Sequence, residues 1–128
     1  MKQTTEDYVS FEIAQLLKEK GVDFIECVTY YCEDKPRKID YSFCGETNST
    51  WEKRCCQAPT HQMALKLLRE VYNIFIEVNV SVDLNGSYHF NYSILDKECK
   101  YIKRFVGYYS THELCVEAAI LYVLKNLI

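Results

Sequence analysis

The chain has 128 residues, 48% of them hydrophobic and 26% charged, with a net charge of −3; this is the makeup of one ordinary globular domain and excludes a disordered or fibrous chain. Residues 1–58 hold eight Lys/Arg against eleven Asp/Glu, and residues 59–128 hold seven of each. Neither half offers a basic surface, so no membrane partner is expected and nucleic acid is disfavoured as one.

The N-terminus, Met1 to Asp7, is polar and acidic with no apolar stretch behind it, unlike a secretory signal. The longest apolar run, Ala118 to Leu124, is far shorter than the ~20 residues that cross a bilayer. A cytoplasmic location is therefore expected, with all seven cysteines as reduced thiols. In that setting the Asn-x-Ser/Thr triplets at Asn48, Asn79 and Asn91 carry no glycan.

In chain order, Thr4 and Asp7 resemble a capping box. Val9, Ile13, Leu16 and Leu17 follow at helical spacing, and Lys18, Lys20 and Gly21 close the helix. Val22 to Tyr31 turns extended. Residues 27–57 read as an irregular, cysteine-rich insertion: Ile39, Tyr41 and Phe43 alternate as in a strand, residues 44–50 form a polar loop, and Trp51 to Gln57 suits a short strand. Thr60 is a good N-cap for a second helix carrying Ala64, Leu67, Leu68 and Val71, which Asn73 can end in the left-handed conformation.

Ile74, Ile76, Val78, Val80 and Val82 then alternate with Phe75, Glu77, Asn79 and Ser81, the period of a half-buried strand. Asn85-Gly86 predicts a type I′ hairpin. Ser87 to Leu95 returns, Asp96-Lys97-Glu98 turns again, and Cys99 to Tyr109 makes a further strand. Ser110 with Glu113 is a full capping box for the last helix, whose expected core stripe is Leu114, Ala118, Leu121 and Leu124, widened by Cys115, Ala119 and Tyr122. The predicted class is α+β: a three-stranded antiparallel meander with helices packed on one face, in the order α-β-(β)-α-β-β-β-α, within a single domain over 1–128.

The blocks Thr5 to Ser10, Leu16 to Gly21, Ala58 to Ala64, Leu68 to Glu70 and Glu117 to Ile120 resemble a family of small proteins in gut Bacteroidales genomes and in their phages and mobile elements. The resemblance covers the three helices and their flanks and does not reach residues 27–57. It implies a cytosolic, accessory role and transfers no activity and no functional residue. Residues 60–128 are also similar in topology to a double-stranded RNA-binding domain, α-β-β-β-α. That module places basic residues at the start of its last helix, where this chain has Ser110-Thr111-His112-Glu113.

No catalytic constellation assembles, and the chain is read as a non-enzyme. The four glycines, Gly21, Gly45, Gly86 and Gly107, are isolated, so no phosphate-cradling loop is present. His112 and Cys115 could meet on the last helix, yet Cys115 belongs to the core stripe. Cys27, Cys32, Cys44 and one of Cys55 or Cys56 form the only candidate zinc set; adjacent Cys55 and Cys56 fit it poorly, because neighbours in a strand point to opposite faces. The bland reading makes them small buried hydrophobes, and no cofactor is expected.

Eleven of the eighteen aromatic residues are tyrosines, residues suited to binding surfaces because an apolar ring carries a polar tip. The candidate binding residues are therefore on the sheet: Phe75, Glu77, Tyr88, Phe90 and Tyr92. The expected function is non-catalytic, contact with a protein partner or with a second copy. The alternative is a zinc-stabilised regulatory or nucleic-acid-binding module.

Overall fold

The computed structural model describes residues 6–25, 27–41, 47–49 and 55–128. The chain divides into two compact units, Met1–Gln62 and Met63–Ile128. The fold is α+β, and no helix of the described residues is long and apolar enough to cross a membrane.

The first unit holds α1 (Phe11–Glu19), β1 (Thr29–Cys32), β2 (Lys35–Tyr41) and β3 (Cys55–Gln57). Helix α1 starts later than the sequence suggests. Its N-cap is Ser10, whose hydroxyl accepts from the Ile13 N–H at 3.3 Å; Thr4 lies outside the described residues. Asp7 to Val9 are committed elsewhere: the Asp7 carbonyl accepts from the His61 N–H, Tyr8 bridges Thr60, and the Val9 N–H donates to the Pro59 carbonyl. A chain held in that extended pairing cannot also turn into a helix. At the other end Gly21 takes φ 74°, the left-handed stop that a glycine adopts without a Cβ penalty.

The described residues of the cysteine-rich segment, 27–41, 47–49 and 55–57, include three paired strands, more regular than the expected insertion. β1 pairs with β2 across the Glu33-Asp34 turn and with β3 on its other side, both antiparallel, giving the order β2-β1-β3. Helix α1 packs on β3 and buries Ile13, Ala14 and Leu17, each of the larger two contributing about 1.5–3 kcal/mol relative to exposure.

A buried amide relay holds this unit together. Gln57 is fully buried, its Oε1 accepting from the Phe24 N–H at 2.8 Å and its Nε2 donating to the Phe24 carbonyl at 2.7 Å. The Gln57 N–H donates in turn to Asn48 Oδ1, and Asn48 Nδ2 donates to the Val22 carbonyl at 2.8 Å. Asn48 therefore uses its carboxamide inside the unit. Tyr31 adds a hydroxyl bond to the Val9 carbonyl at 2.7 Å.

Helix α2 (His61–Tyr72) spans the boundary and ends at Asn73, which takes φ 56° as its sequence suggests. The second unit continues with β4 (Phe75–Val82), β5 (Tyr88–Leu95), β6 (Tyr101–Tyr109) and α3 (His112–Asn126), the strands forming the antiparallel meander β4-β5-β6. Helix α3 packs on all three strands. Its N-cap is Thr111, one residue after Ser110, with the hydroxyl accepting from the Leu114 N–H at 3.2 Å. Its buried stripe is Cys115, Val116, Ala119, Ile120, Val123 and Leu124. Leu114 is exposed and Leu121 half-buried, so the stripe is rotated from the expected one.

The two hairpin turns share one geometry, and neither is type I′. In the first, Asp83 Oδ1 accepts from the N–H groups of Asn85 and Ser87, and only Gly86 has positive φ, 80°. In the second, Asp96 Oδ1 accepts from Glu98 and Lys100, and Cys99 takes the position of Gly86 at φ 60°. An aspartate that binds the backbone two and four residues on replaces the requirement for two left-handed residues. These bonds, led by the Ser87 N–H for Asp83 and the Lys100 N–H for Asp96, hold both carboxyls below their ordinary value of 3.8. A lowered folded pKa stabilises above the unfolded value and is lost as pH falls through the folded one. Asp83→Asn and Asp96→Asn are therefore expected to melt below the wild type at pH 7. That gap should close as pH is lowered from about 4; a gap constant from pH 7 to pH 2.5 would contradict it.

Candidate functional site

Cross-strand partners share a sheet face, and the register fixes both faces of the meander. Ile76 stands opposite Ile94, Val78 opposite Tyr92, Val80 opposite Phe90, and Val82 opposite Tyr88. This is the face under α3: the Phe90 ring meets His112 edge-on at 5.9 Å, and Lys103 lies over Tyr122. Burial among Tyr109, Tyr122 and Cys115 raises the pKa of Tyr92. The opposite face carries Phe75, Glu77, Asn79 and Ser81 beside Leu95, Ser93, Asn91 and His89.

The five candidate binding residues therefore do not form one patch. Phe75 and Glu77 are exposed on the outer face, whereas Tyr88, Phe90 and Tyr92 lie on the α3 face. Tyr92 is buried and Phe90 half-buried; Tyr88 is 68% exposed.

The apolar face is covered at one end only. Ile76, Val78, Tyr92 and Ile94 are buried or half-buried, while Val80 and Val82 are 59% and 56% exposed. The hairpin thus continues past the N-terminus of α3 and leaves Val80, Val82 and Tyr88 open together, with Leu84 fully exposed at its tip. On the outer face the Tyr108 ring stacks on His89 at 4.0 Å, and its hydroxyl donates to Asp83.

The two edges of the meander differ. β6 shifts register against β5 three times, so Tyr101–Tyr109 spans only Phe90–Leu95. Phe105 and Gly107 take φ 48° and 91° within these bulges, and a Cβ at Gly107 would run into the Tyr109 ring. The Phe105 N–H donates to the Ser93 hydroxyl at 3.1 Å, so that part of the strand has left the ladder. Such irregularity blunts an edge against further pairing. β4, by contrast, runs eight residues in continuous register with β5. It contains no proline and no lysine, and Glu77 is its only charge. Among the described residues no strand pairs with its outer edge. Sequence reasoning missed this contrast because bulges in β6 leave no signal beyond Gly107.

In the first unit the expectation of seven reduced cysteines is corrected. Cys32 and Cys55 are direct partners between β1 and β3, with Cα atoms 4.3 Å apart, and form a disulfide. Antiparallel pairing brings together two residues 23 apart in sequence, a proximity that spacing alone does not reveal. Of the other candidate zinc ligands, Cys27 is buried with its thiol 3.4 Å from the Thr29 carbonyl, and Cys56 is buried on the opposite side of β3 from Cys55. Cys44 lies outside the described residues. No group of three His, Cys, Asp or Glu among the described residues could hold a metal ion.

Beside the disulfide lies a cleft of about 330 Å3 whose lining includes Phe11, Gln15, Lys18, Glu33, Cys55 and Cys56. The Lys18 ammonium donates to the Cys55 carbonyl. Burial, with Glu33 adding to it against the opposing effect of Lys18, pushes the Cys56 thiol up to about 11. In the second unit Cys115 is fully buried and its thiol is pushed up to about 11 by burial, while His112 is exposed. A thiol so raised is a poor nucleophile at neutral pH.

Comparison with family models, with curated proteins and with solved structures gives no match to this chain.

Proposed function

We propose that the protein is a non-catalytic, self-associating accessory module that dimerises by antiparallel pairing of β4 with β4 of a second copy. The observation that carries this reading is the asymmetry of the meander: one edge regular and nearly uncharged, the other bulged three times. Unpaired strand groups form a template for another strand. With a single regular edge in the meander, pairing of that edge through a two-fold axis closes at two subunits instead of growing into a fibre. An axis at Asn79 sets Glu77 opposite Ser81 of the partner subunit, which avoids a like-charge contact. The same register sets Val80 and Val82 beside Val78 and Ile76 of the partner subunit, covering the open end of the apolar face. The resemblance of the helices to proteins of phages and mobile elements supports an accessory role in the cytoplasm.

Val80→Lys tests the interface without touching the core, because Val80 is 59% exposed. It is expected to weaken dimerisation at least about tenfold, since each subunit loses ~1 kcal/mol or more of apolar burial at the interface. Light scattering across a dilution series reads the change. A Val80→Lys protein with the dimerisation constant of the wild type would refute the β4 interface.

A further inference from the structure

We propose that the β6 edge of the meander binds single-stranded nucleic acid. Lys100, Lys103 and Arg104 meet its charge, while Phe105 and the guanidinium of Arg104, laid on Tyr101, stack its bases. This edge lies across the sheet from β4, so the site stands apart from the proposed dimer. Residues 99–109 hold three Lys/Arg, no Asp/Glu and four aromatic rings. The even balance of residues 59–128 conceals this strip, because all seven of their acids lie outside it. Cations that follow a backbone, interleaved with rings on which bases stack, are how proteins hold an unpaired strand.

The bulges of β6 build the site. Tyr101 stands opposite Leu95 and Lys103 opposite Ile94, so Ile102 is an extra residue between them. The register sets Tyr101 on the outer face and Lys103 on the α3 face, where it lies over Tyr122. The Arg104 guanidinium returns to Tyr101, 4.1 Å from the ring centre. Cations from both faces thus flank the strand, and with Cys99, Lys100, Tyr101 and Ile102 they line an open cleft of about 580 Å3. That volume falls within the roughly 300–1,000 Å3 of ligand sites. A guanidinium laid on one ring offers its other plane to a base.

Phe105 is the second stacking surface. It is 63% exposed at φ 48°, a conformation that a bulky residue holds only under strain. The Phe105 N–H bond to the Ser93 hydroxyl keeps the backbone there. A strained residue that presents its ring to solvent adds little packing, and a stacked base accounts for it. The neighbouring acids leave the cleft open to anions. Asp96 Oδ1 is taken by the N–H groups of Glu98 and Lys100, and Glu77 lies on β4 with β5 between. The Glu98–Lys100 pair, 3.5 Å apart, has both side chains largely exposed, so a phosphate replaces it at little cost.

The test is fluorescence anisotropy of labelled oligothymidylate and oligouridylate, each of ~8 nucleotides, titrated with the full chain. Both should bind with a Kd of about 1–100 μM, and log K should fall against log salt with a slope of about −2, the value for three cations on a single strand. Combining Lys100→Met, Lys103→Met and Arg104→Met should weaken binding at least about thirtyfold at low salt and flatten that slope. Lys66→Met, on the exposed side of α2, should leave binding unchanged. Phe105→Gly should weaken binding at least about fivefold through the lost stacking. It should also melt close to the wild type, because glycine adopts φ 48° without strain. Any of three results would overturn the proposal: no anisotropy change up to ~1 mM protein, a Phe105→Gly affinity equal to the wild type, or a duplex or inorganic polyphosphate of matched charge that competes as well as the single strand.

Discussion

Gln57→Ala is expected to destabilise the first unit by about 3–5 kcal/mol, enough to unfold a unit of this size at ambient temperature. Two effects add. Truncation of a fully buried side chain leaves a cavity in a close-packed interior. It also strands the Phe24 N–H and carbonyl, both of which bind the Gln57 carboxamide, at a cost of about 1–3 kcal/mol for each buried group left without a partner. The Asn48 contact to the Gln57 N–H involves the backbone and survives the substitution. Urea unfolding monitored by amide exchange in peptides from residues 6–25 would read the loss. A change below about 1 kcal/mol would mean that water replaces the carboxamide and that the relay does not hold this unit.

Ile94→Ala should destabilise the second unit by about 2–5 kcal/mol. Ile94 has no exposure and sits in the central strand on the face that α3 covers. The informative comparison is Val80→Ala on the same face, expected to change stability of the monomer by no more than about 0.5 kcal/mol because the residue is largely exposed. Thermal unfolding of both, made at concentrations where light scattering gives the monomer mass, separates packing from association. Equal losses at the two positions would contradict the account of α3 as a cover for only one end of the sheet.

The strands of the meander were legible from period alone. Ile76 and Val78 share a face, and so do Phe90 and Tyr92, as alternation within each strand requires, while the register that sets both pairs on the same side comes from the strand pairing. The class, α+β, follows from the same signal. What the sequence could not settle was selection among equivalent signals. Helix α3 is apolar on nearly every side, so its period does not choose between Leu114–Leu121 and Val116–Val123; packing on three strands does. Thr4 and Ser10 can both cap a helix, and the bridge from Tyr8 to Thr60 decides for Ser10. The type I′ expectation failed because Asp83 supplies through its carboxylate what the backbone would otherwise need.

The candidate sites were legible to a lesser degree. Tyrosine enrichment pointed to the sheet but not to a face, and register divides Phe75 and Glu77 from Phe90 and Tyr92. The cysteines stood out by number, yet the partnership of Cys32 with Cys55 depends on β1 and β3 lying side by side, a long-range fact with no local trace. The same holds for the β4 edge, whose outer side pairs with no strand among the described residues.

Amide hydrogen exchange in β4, measured at high and at low protein concentration, tests the proposed dimer most directly. Pairing of β4 with a second copy protects the outward N–H groups of Phe75–Val82, so their exchange should accelerate on dilution while β5, already paired on both sides, and the bulged β6 stay unchanged. Exchange in β4 that is independent of concentration, in a range where light scattering follows mass, would contradict it.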